Sequence, residues 1–369
     1  KMNKTRLNKL QTEIQKQQIN GVILMPGPNS VYISGMATHM SERPILLFIP
    51  NYGEPAIIIP TLEAMKAQDA GIPKTRIFDW GDEDGYAGAF AQAANHLNLD
   101  EGCWGVESFH MRVLELDALK NAAPSLATTY ADPVMDVLRL IKDKNEIAAM
   151  QAAIAVAEVS IDALLPRIKI GMSEKQVAAL LTQELLQRGA DSIAFGPIVS
   201  SGPNSASPHA MPTERSLQAG DLLVIDWGVF INDYPSDITR TFAIGEIIDP
   251  ELQNIYAAVK EANAAGKAAA RPGATCQDID RAARMVITAA GYAKNFFHRT
   301  GHGLGLSVHE EPSMVEGNTH ILVEGNVFTV EPGIYLPGRG GVRIEDDVVI
   351  TPDGHLSLTS YPRDLITVG

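Results

Sequence analysis

Residues 222–245 read LLVIDWGVFINDYPSDITRTFAIG, two runs rich in β-branched and aromatic residues with turn residues between them. The pattern predicts two strands folded on each other, Leu222–Phe230 and Ile238–Ile244. A two-residue turn at Ile231 and Asn232 puts Asp226 directly opposite Asp237. Opposed strand residues have Cβ atoms about 4.5–5.5 Å apart, where two like charges destabilise a sheet unless a cation lies between them. Pro235 cannot donate a ladder hydrogen bond, so a bulge or an edge position is expected beside it. Two solvated aspartates on an exposed face would carry the same letters, and this hairpin alone does not decide between the readings.

A second hairpin repeats the device. Residues 329–351, TVEPGIYLPGRGGVRIEDDVVIT, hold a Gly- and Pro-rich loop, and folding about Gly338 brings Glu331 opposite Glu345. Asp346 and Asp347 are adjacent alternatives to Glu345, and strand alternation alone leaves the choice among the three open. Between the hairpins lies HRTGHGLGLSVHEEP (298–312), where Gly301, Gly303 and Gly305 let the backbone approach a site closely around His302, with His309 seven residues on. Four carboxylates and one imidazole suit a pair of borderline-to-hard divalent ions such as Mn, Co, Zn or Fe, and the lack of cysteine beside them argues against a structural zinc site.

The surrounding chain gives these hairpins a place. Helical stretches Val137–Leu165 and Ser173–Arg188 precede the first pair of strands, and Glu251–Ala270 and Cys276–Ala290 precede the second. A helix-helix-strand-strand unit occurring twice predicts a pseudo-duplicated α+β domain. Upstream, a helix near residues 5–19, strands at Gly21–Met25, Pro44–Pro50 and Ala56–Pro60, and an Ala-rich helix at Tyr86–Leu97 alternate as in an α/β domain. The charge-poor, turn-rich segment Ala122–Pro133 separates the halves, so the expected domains are residues 1–130 and 131–369.

The 369 residues, 45% of them hydrophobic, suffice for two cores. Thirty basic residues against 44 acidic ones leave a net charge of −14, spread along the chain, which disfavours nucleic acid as a partner. The N-terminal segment has no apolar core of a signal peptide, and no later stretch reads as the roughly 20 apolar residues of a spanning helix. Cys103 and Cys276 lie in no metal or redox spacing. No membrane association and a cytoplasmic location are expected.

At these residues the chain resembles the pita-bread metallopeptidases, in the Xaa-Pro branch that includes prolidase and aminopeptidase P. The likeness covers nearly the full length. It is carried by SGPNSASPHAMP with His209, IDWG with Asp226, SDITRTF with Asp237, GHGLGLSVHEEP with His302 and His309, TVEPGIY with Glu331, and RIEDDV with Glu345. RLNKLQTEIQKQQINGVILMPGPNSVYISGM (6–36) resembles the opening of the creatinase-type N-terminal domain, which methionine aminopeptidases generally lack. Trp227, Val229 and Pro235 depart from the usual family context without removing a ligand.

The resemblance implies a creatinase-type α/β domain followed by a pseudo-duplicated pita-bread catalytic domain, and two divalent metal ions. Asp226 would bind one ion and His302 the other. Asp237 and Glu345 would bridge both, with Glu331 a further ligand on the His302 side. The same likeness selects Glu345 over its neighbours. It implies Glu331 as general base, His309 as holder of the substrate carbonyl or developing oxyanion, and His209 as helper of the leaving nitrogen. The substrates would be dipeptides or short peptides with proline second, and the partner a second copy of the chain in a homodimer. The alternatives are a peptide-binding member of the fold that has lost catalysis and a methionine-type aminopeptidase.

Overall fold

The computed structural model describes all residues, Lys1–Gly369, which separate into two compact units, Lys1–Arg139 and Leu140–Gly369. In the first unit the chain order is α1 (Lys4–Lys16), β1 (Gly21–Leu24), α2 (Pro28–Ser34), β2 (Leu46–Pro50), β3 (Ala56–Pro60), α3 (Ala64–Ala70), β4 (Ile77–Trp80), α4 (Ala87–Leu97), β5 (Cys103–Val106), α5 (Val113–Ala122), β6 (Ala127–Tyr130) and α6 (Asp132–Arg139). The strands form one six-stranded sheet, order β4-β3-β2-β1-β5-β6, with β2 antiparallel to both its neighbours and the other pairs parallel. Asn3 accepts from the Arg6 amide and so caps α1, whose buried stripe is Leu7, Leu10 and Ile14. Strand β1 is buried along its whole length, which is why GVIL reads as a continuous apolar run.

The expected helix over 137–165 is two helices. α6 stays with the first unit, burying Val134, Met135 and Leu138, while Tyr32 donates to the Leu138 carbonyl at 3.0 Å. The division between units therefore falls at Arg139/Leu140, nine residues beyond the turn-rich segment's last strand residue, Tyr130. Residues 140–143 leave the helix because Ile141 pairs with Asn326 and the Lys142 amide bonds the Gly325 carbonyl. A reciprocal capping box between Asp143 and Glu146 then starts α7 (Lys144–Leu164).

The second unit continues with α8 (Glu174–Gln187), β7 (Ser192–Ile193), β8 (Ile198–Ser201), β9 (Leu222–Trp227), β10 (Val229–Ile231), β11 (Tyr234–Pro235), β12 (Ile238–Ile244), α9 (Pro250–Ala269) and α10 (Cys276–Ala289). It ends with β13 (Gly301–Gly303), β14 (Glu310–Met314), β15 (Val327–Val330), β16 (Gly333–Leu336), β17 (Gly340–Arg343), β18 (Asp346–Thr351), β19 (Gly354–Ser357) and β20 (Thr367–Val368). Two sheets, β20-β12-β9-β8 and β14-β13-β15-β18-β19, each contain one long antiparallel pair, β9/β12 or β15/β18, preceded by two helices. Each pair continues past a break in both of its strands into a short hairpin, β10/β11 or β16/β17. The doubling expected from the order of elements is thus present in the pairing.

Contrary to the sequence reading, α7 with the turn that follows it, Lys144–Arg167, is long and apolar enough to cross a membrane. Its alanines make it apolar without making it lipid-facing. One face, with Met150, Ala153, Ile154, Ala157, Ile161 and Leu164, is buried, the Ala157 carbonyl accepts from the Trp227 indole at 3.0 Å, and Glu158 accepts from Ser360 and Tyr361. It is a core helix of the second unit.

Candidate metal centre

The first hairpin turns one residue later than expected. Asn232 and Asp233 occupy the turn with φ of +50° and +67°, and Ile231 pairs with Tyr234. Short polar side chains tolerate the left-handed region that a two-residue hairpin turn demands, whereas β-branched Ile231 does not. Phe230 then faces Pro235 and, further along, Asp226 faces Thr239, so Gly228 is the residue across from Asp237. Asp226 and Asp237 are diagonal neighbours on one face rather than a directly opposed pair. Pro235 lies on an edge strand of its small sheet, and the register runs through it without a bulge. The glycine is required here, because a Cβ on Gly228 would come within 2.0 Å of the Ser236 carbonyl.

The second hairpin folds about Gly338, φ +76°, pairing Gly333 with Arg343 on one side and Val330 with Asp346 on the other. Glu331 and Glu345 lie across from each other in the gap between those ladders. The Glu331 amide bonds the Thr300 carbonyl at 2.7 Å, and the Glu345 amide bonds the Thr239 carbonyl at 3.0 Å, which ties the two hairpins together. Asp346 points away, to Arg240 and Lys267. Asp347 shares the face of Glu345, but its Oδ2 accepts from the Asp237 amide at 3.1 Å. Only Glu345 of the three joins the acidic cluster.

His302 sits on β13 between β14 and β15. A Cβ on Gly301 would lie 1.8 Å from the Thr329 carbonyl, and one on Gly303 would lie 2.2 Å from that of Glu311, so these glycines admit the flanking strands. The Nδ1–H of His302 donates to the Gly303 carbonyl at 3.1 Å, which turns an unprotonated Nε2 toward Glu331 at 3.4 Å and Asp237 at 3.6 Å. Gly301→Ala is expected to destabilise the protein by about 1–3 kcal/mol and to lower its bound-metal content, because β13 must move off β15 and carry His302 with it. Thermal denaturation with metal analysis checks this; a variant with unaltered metal content would show that the strand spacing does not set the site.

Three sets of ligand atoms lie within 4.8 Å of one another: Asp226, Asp237 and Glu345; His302, Glu331 and Glu345; and Asp237, His302 and His309. Glu345 and Asp237 are each shared between two sets. Burial, and then the neighbouring carboxylates Glu345 and Asp226, push Asp237 well above the usual carboxylate range. Burial and the charges of Glu331 and Asp226 do the same to Glu345, and burial takes Glu331 up to about 7. His302 is driven well below the usual imidazole value by burial, so it is neutral and able to ligate. Asp226 Oδ1 is buried without a hydrogen-bond partner, while Oδ2 accepts from Arg343 at 2.7 Å. A dry oxygen lacking a donor, among four mutually repelling carboxylates and a neutral imidazole, fits divalent cations.

Further side chains shape the approach. A cleft of about 650 Å³ opens onto the cluster, walled by Phe195, His209, Met211, His298, Arg299 and His309 among others. Its size suits a small ligand. The His302 and His309 rings are 3.9 Å apart between centroids, and burial, then the Arg299 guanidinium, hold His309 below the ordinary imidazole value. His209 stands on the exposed loop after β8. That loop is held by Glu174, whose carboxylate accepts from the amides and hydroxyls of Ser201 and Thr213 and from the Asn204 amide.

Sequence reasoning leaves several participants unassigned. Thr239 donates to Glu345 Oε2 at 2.7 Å. His298 bonds the Tyr335 hydroxyl at 2.9 Å, and Arg343 donates to that same hydroxyl, so a chain of contacts runs from His298 to Asp226. Burial holds His298 at about 4. Arg343 forms a buried salt bridge with Asp226 of the acidic cluster at 2.7 Å. Lys142 forms a buried ion pair with Glu310, beside His309.

Two family profiles match the chain: the Creatinase/Prolidase N-terminal domain over residues 6–141 and Metallopeptidase family M24 over residues 148–352. A putative dipeptidase of Bacillus subtilis (strain 168) is 39% identical over 338 residues, covering 92% of this chain and 93% of that protein. The Xaa-Pro dipeptidase of Lactobacillus helveticus is 34% identical over 369 residues, covering 97% of this chain and 98% of that one. Among solved structures, a recombinant prolidase from Thermococcus sibiricus matches with a TM-score of 0.93 at 34% identity, over 100% of both chains.

Proposed function

The chain belongs to metallopeptidase family M24, with a creatinase/prolidase N-terminal domain ahead of the catalytic one, and from that premise we propose that it hydrolyses the Xaa-Pro bond of dipeptides or short peptides. The observation that carries this reading is the convergence of Asp226, Asp237, His302, Glu331 and Glu345 at the floor of one cleft, in ligand sets that share Asp237 and Glu345. Proline enters through the Xaa-Pro dipeptidase and prolidase names of relatives similar over almost the whole chain.

In this reading Asp226, Asp237 and Glu345 would hold one divalent ion, and His302, Glu331 and Glu345, with Asp237, would hold a second; Mn, Co, Zn or Fe would suit the donor set. When bound, such ions would bring the pKa of a coordinated water down to about 7 and polarise the scissile carbonyl. Glu331, facing His302, takes the proton as general base. His309, kept neutral by burial and Arg299, presents an N–H to the carbonyl oxygen and stabilises the charge that develops there. His209, on its Glu174-anchored loop, delivers a proton to the proline nitrogen, which must leave as an amine. Arg343, donating to Oδ2, keeps Asp226 aimed into the cluster. A homodimer working in the cytoplasm completes the proposal.

Purified protein loaded with Mn, Co or Zn is expected to hydrolyse Gly-Pro and to leave Met-Ala intact. Proline has no N–H once acylated, so a site shaped around a tertiary amide and a donor to its nitrogen favours it. Cleavage of Met-Ala with Gly-Pro untouched would make the chain a methionine-type aminopeptidase, and failure on both with metal bound would leave a binding protein.

A further inference from the structure

Lys142 and Glu310 form an ion pair at 2.7 Å that is almost wholly out of water, the side chains being 1% and 7% exposed. Neither residue belongs to a ligand set or to the wall of the cleft. Lys142 is fixed through its backbone. Its amide donates to the Gly325 carbonyl at 2.8 Å, Ile141 pairs with Asn326, and the Asn326 side-chain amide donates to the Leu140 carbonyl at 2.9 Å. Residues 325 and 326 run directly into β15, the strand against which β13 holds His302.

Glu310 opens β14, and its carboxylate is the core of the loop that leads into that strand. Residues 304–309 join β13 to β14, with Gly303 paired to Glu310 at the base of the loop. The carboxylate accepts from the Ser307 amide at 3.3 Å, the Gly305 amide donates to the Ser307 carbonyl at 3.1 Å, and the Leu304 amide donates to that of Val327 at 3.2 Å. A Cβ on Gly305 would lie 2.3 Å from Glu310 Oε1, so the loop backbone packs directly on the charged group. The last residue of this loop is His309, whose ring centroid lies 3.9 Å from that of His302.

Stability alone does not call for charges here. An ammonium and a carboxylate are costly to take out of water, and apolar replacements of similar volume often leave a fold as stable or more so. A charge-assisted hydrogen bond adds a fixed distance and direction that an apolar contact lacks. We infer that Lys142 and Glu310 are positioning residues: the pair locks the 304–309 loop and so holds the His309 imidazole in place beside His302. This rests on the Xaa-Pro reading above, in which His309 stabilises the charge developing on the carbonyl oxygen. Misplacing such a group by about 1 Å can cost about 10²-fold in rate.

The test replaces the pair by apolar residues, Lys142→Met together with Glu310→Leu, in the wild type and in a His309→Ala background. Metal content, Tm and amide hydrogen exchange are measured on each protein. With metal loaded and Gly-Pro as substrate, removing the pair should lower kcat by about 10- to 100-fold and move KM by less than about 2-fold, because the contact is made in the transition state. Metal content should not change, and the amides of residues 304–309 should exchange at least about 10-fold faster. In the His309→Ala background the same replacement should cost less than about 2-fold, since no imidazole remains to be aimed. A pair that only supports the fold would give equal losses in both backgrounds; that result overturns the inference, as do unaltered loop exchange and full activity without the pair. A metal-loaded wild type that cleaves no Xaa-Pro bond overturns the functional reading, and loop exchange then decides alone whether the pair locks the loop. Should the double replacement not fold, Glu310→Gln keeps the shape and the acceptor for Ser307 while removing the charge. A loss of kcat in Glu310→Gln that vanishes in the His309→Ala background sustains the inference, and one that persists there overturns it.

Discussion

Asp237→Asn is expected to lower kcat/KM for Gly-Pro by at least about 10³-fold and to leave the purified protein short of metal. Asp237 belongs to two of the three ligand sets, so its loss weakens both halves of the site at once. Metal-borne charge stabilisation is worth several kcal/mol, and each ~1.4 kcal/mol is a factor of ten. Asparagine keeps the shape of the side chain, and the backbone bond from the Asp237 amide to Asp347 survives. Stability should move the other way. Without metal, Asp237 is a buried acid that burial and its neighbours Glu345 and Asp226 discourage from ionising. Removing it relieves that repulsion, so metal-free Asp237→Asn should melt at a higher temperature than metal-free wild type while gaining less when metal is added. A variant with full metal content and full activity would remove Asp237 from the site.

The parts of this arrangement that sequence made legible are those set by local rules. Pro337 and Gly338 mark the second turn, so the register placing Glu331 across from Glu345 follows from turn chemistry alone. At the first hairpin, counting Ile231 as a turn residue shifts Asp237's partner from Gly228 to Asp226. The shift is by two positions, and side chains alternate with period two, so both aspartates still share a face and the acidic cluster survives the misplacement. A shift of one would have hidden it. The S/T/D-x-x-E signature at Asp143–Glu146 was equally visible and outranks the apolar period that runs 137–165 together. What no local rule reaches is the support. Arg343 meets Asp226 across 117 residues, Lys142 meets Glu310 across 168, and Thr239 meets Glu345 across 106. These contacts are set by how the two halves of the duplicated unit close on each other.

Chelating the metal is expected to destabilise the protein far more at about pH 8 than at about pH 5.5, and the sign follows from the carboxylates. In the metal-free fold burial raises Glu331 from 4.5 to about 7, and Asp237 and Glu345 are also raised. Between the unfolded and folded values the folded chain holds protons that the unfolded chain has lost, so stability falls as pH rises through that window, by at most ~1.4 kcal/mol per pH unit for each group. Bound cations invert this. They favour the ionised carboxylates, pull the folded values below the unfolded ones, and add stability that is present above the unfolded pKa and lost on acidification. Saturation at about 1,000 times Kd contributes about 4 kcal/mol, or roughly 8–16 °C in Tm for a unit of this size. Plotted against pH, the metal-loaded curve should climb and the chelated curve should sink, diverging from about pH 5 to 8. Thermal melts in chelator and in Mn across that range measure the gap directly. Parallel curves would mean that the buried carboxylates, whose ionisation the metal must favour, are not what holds it.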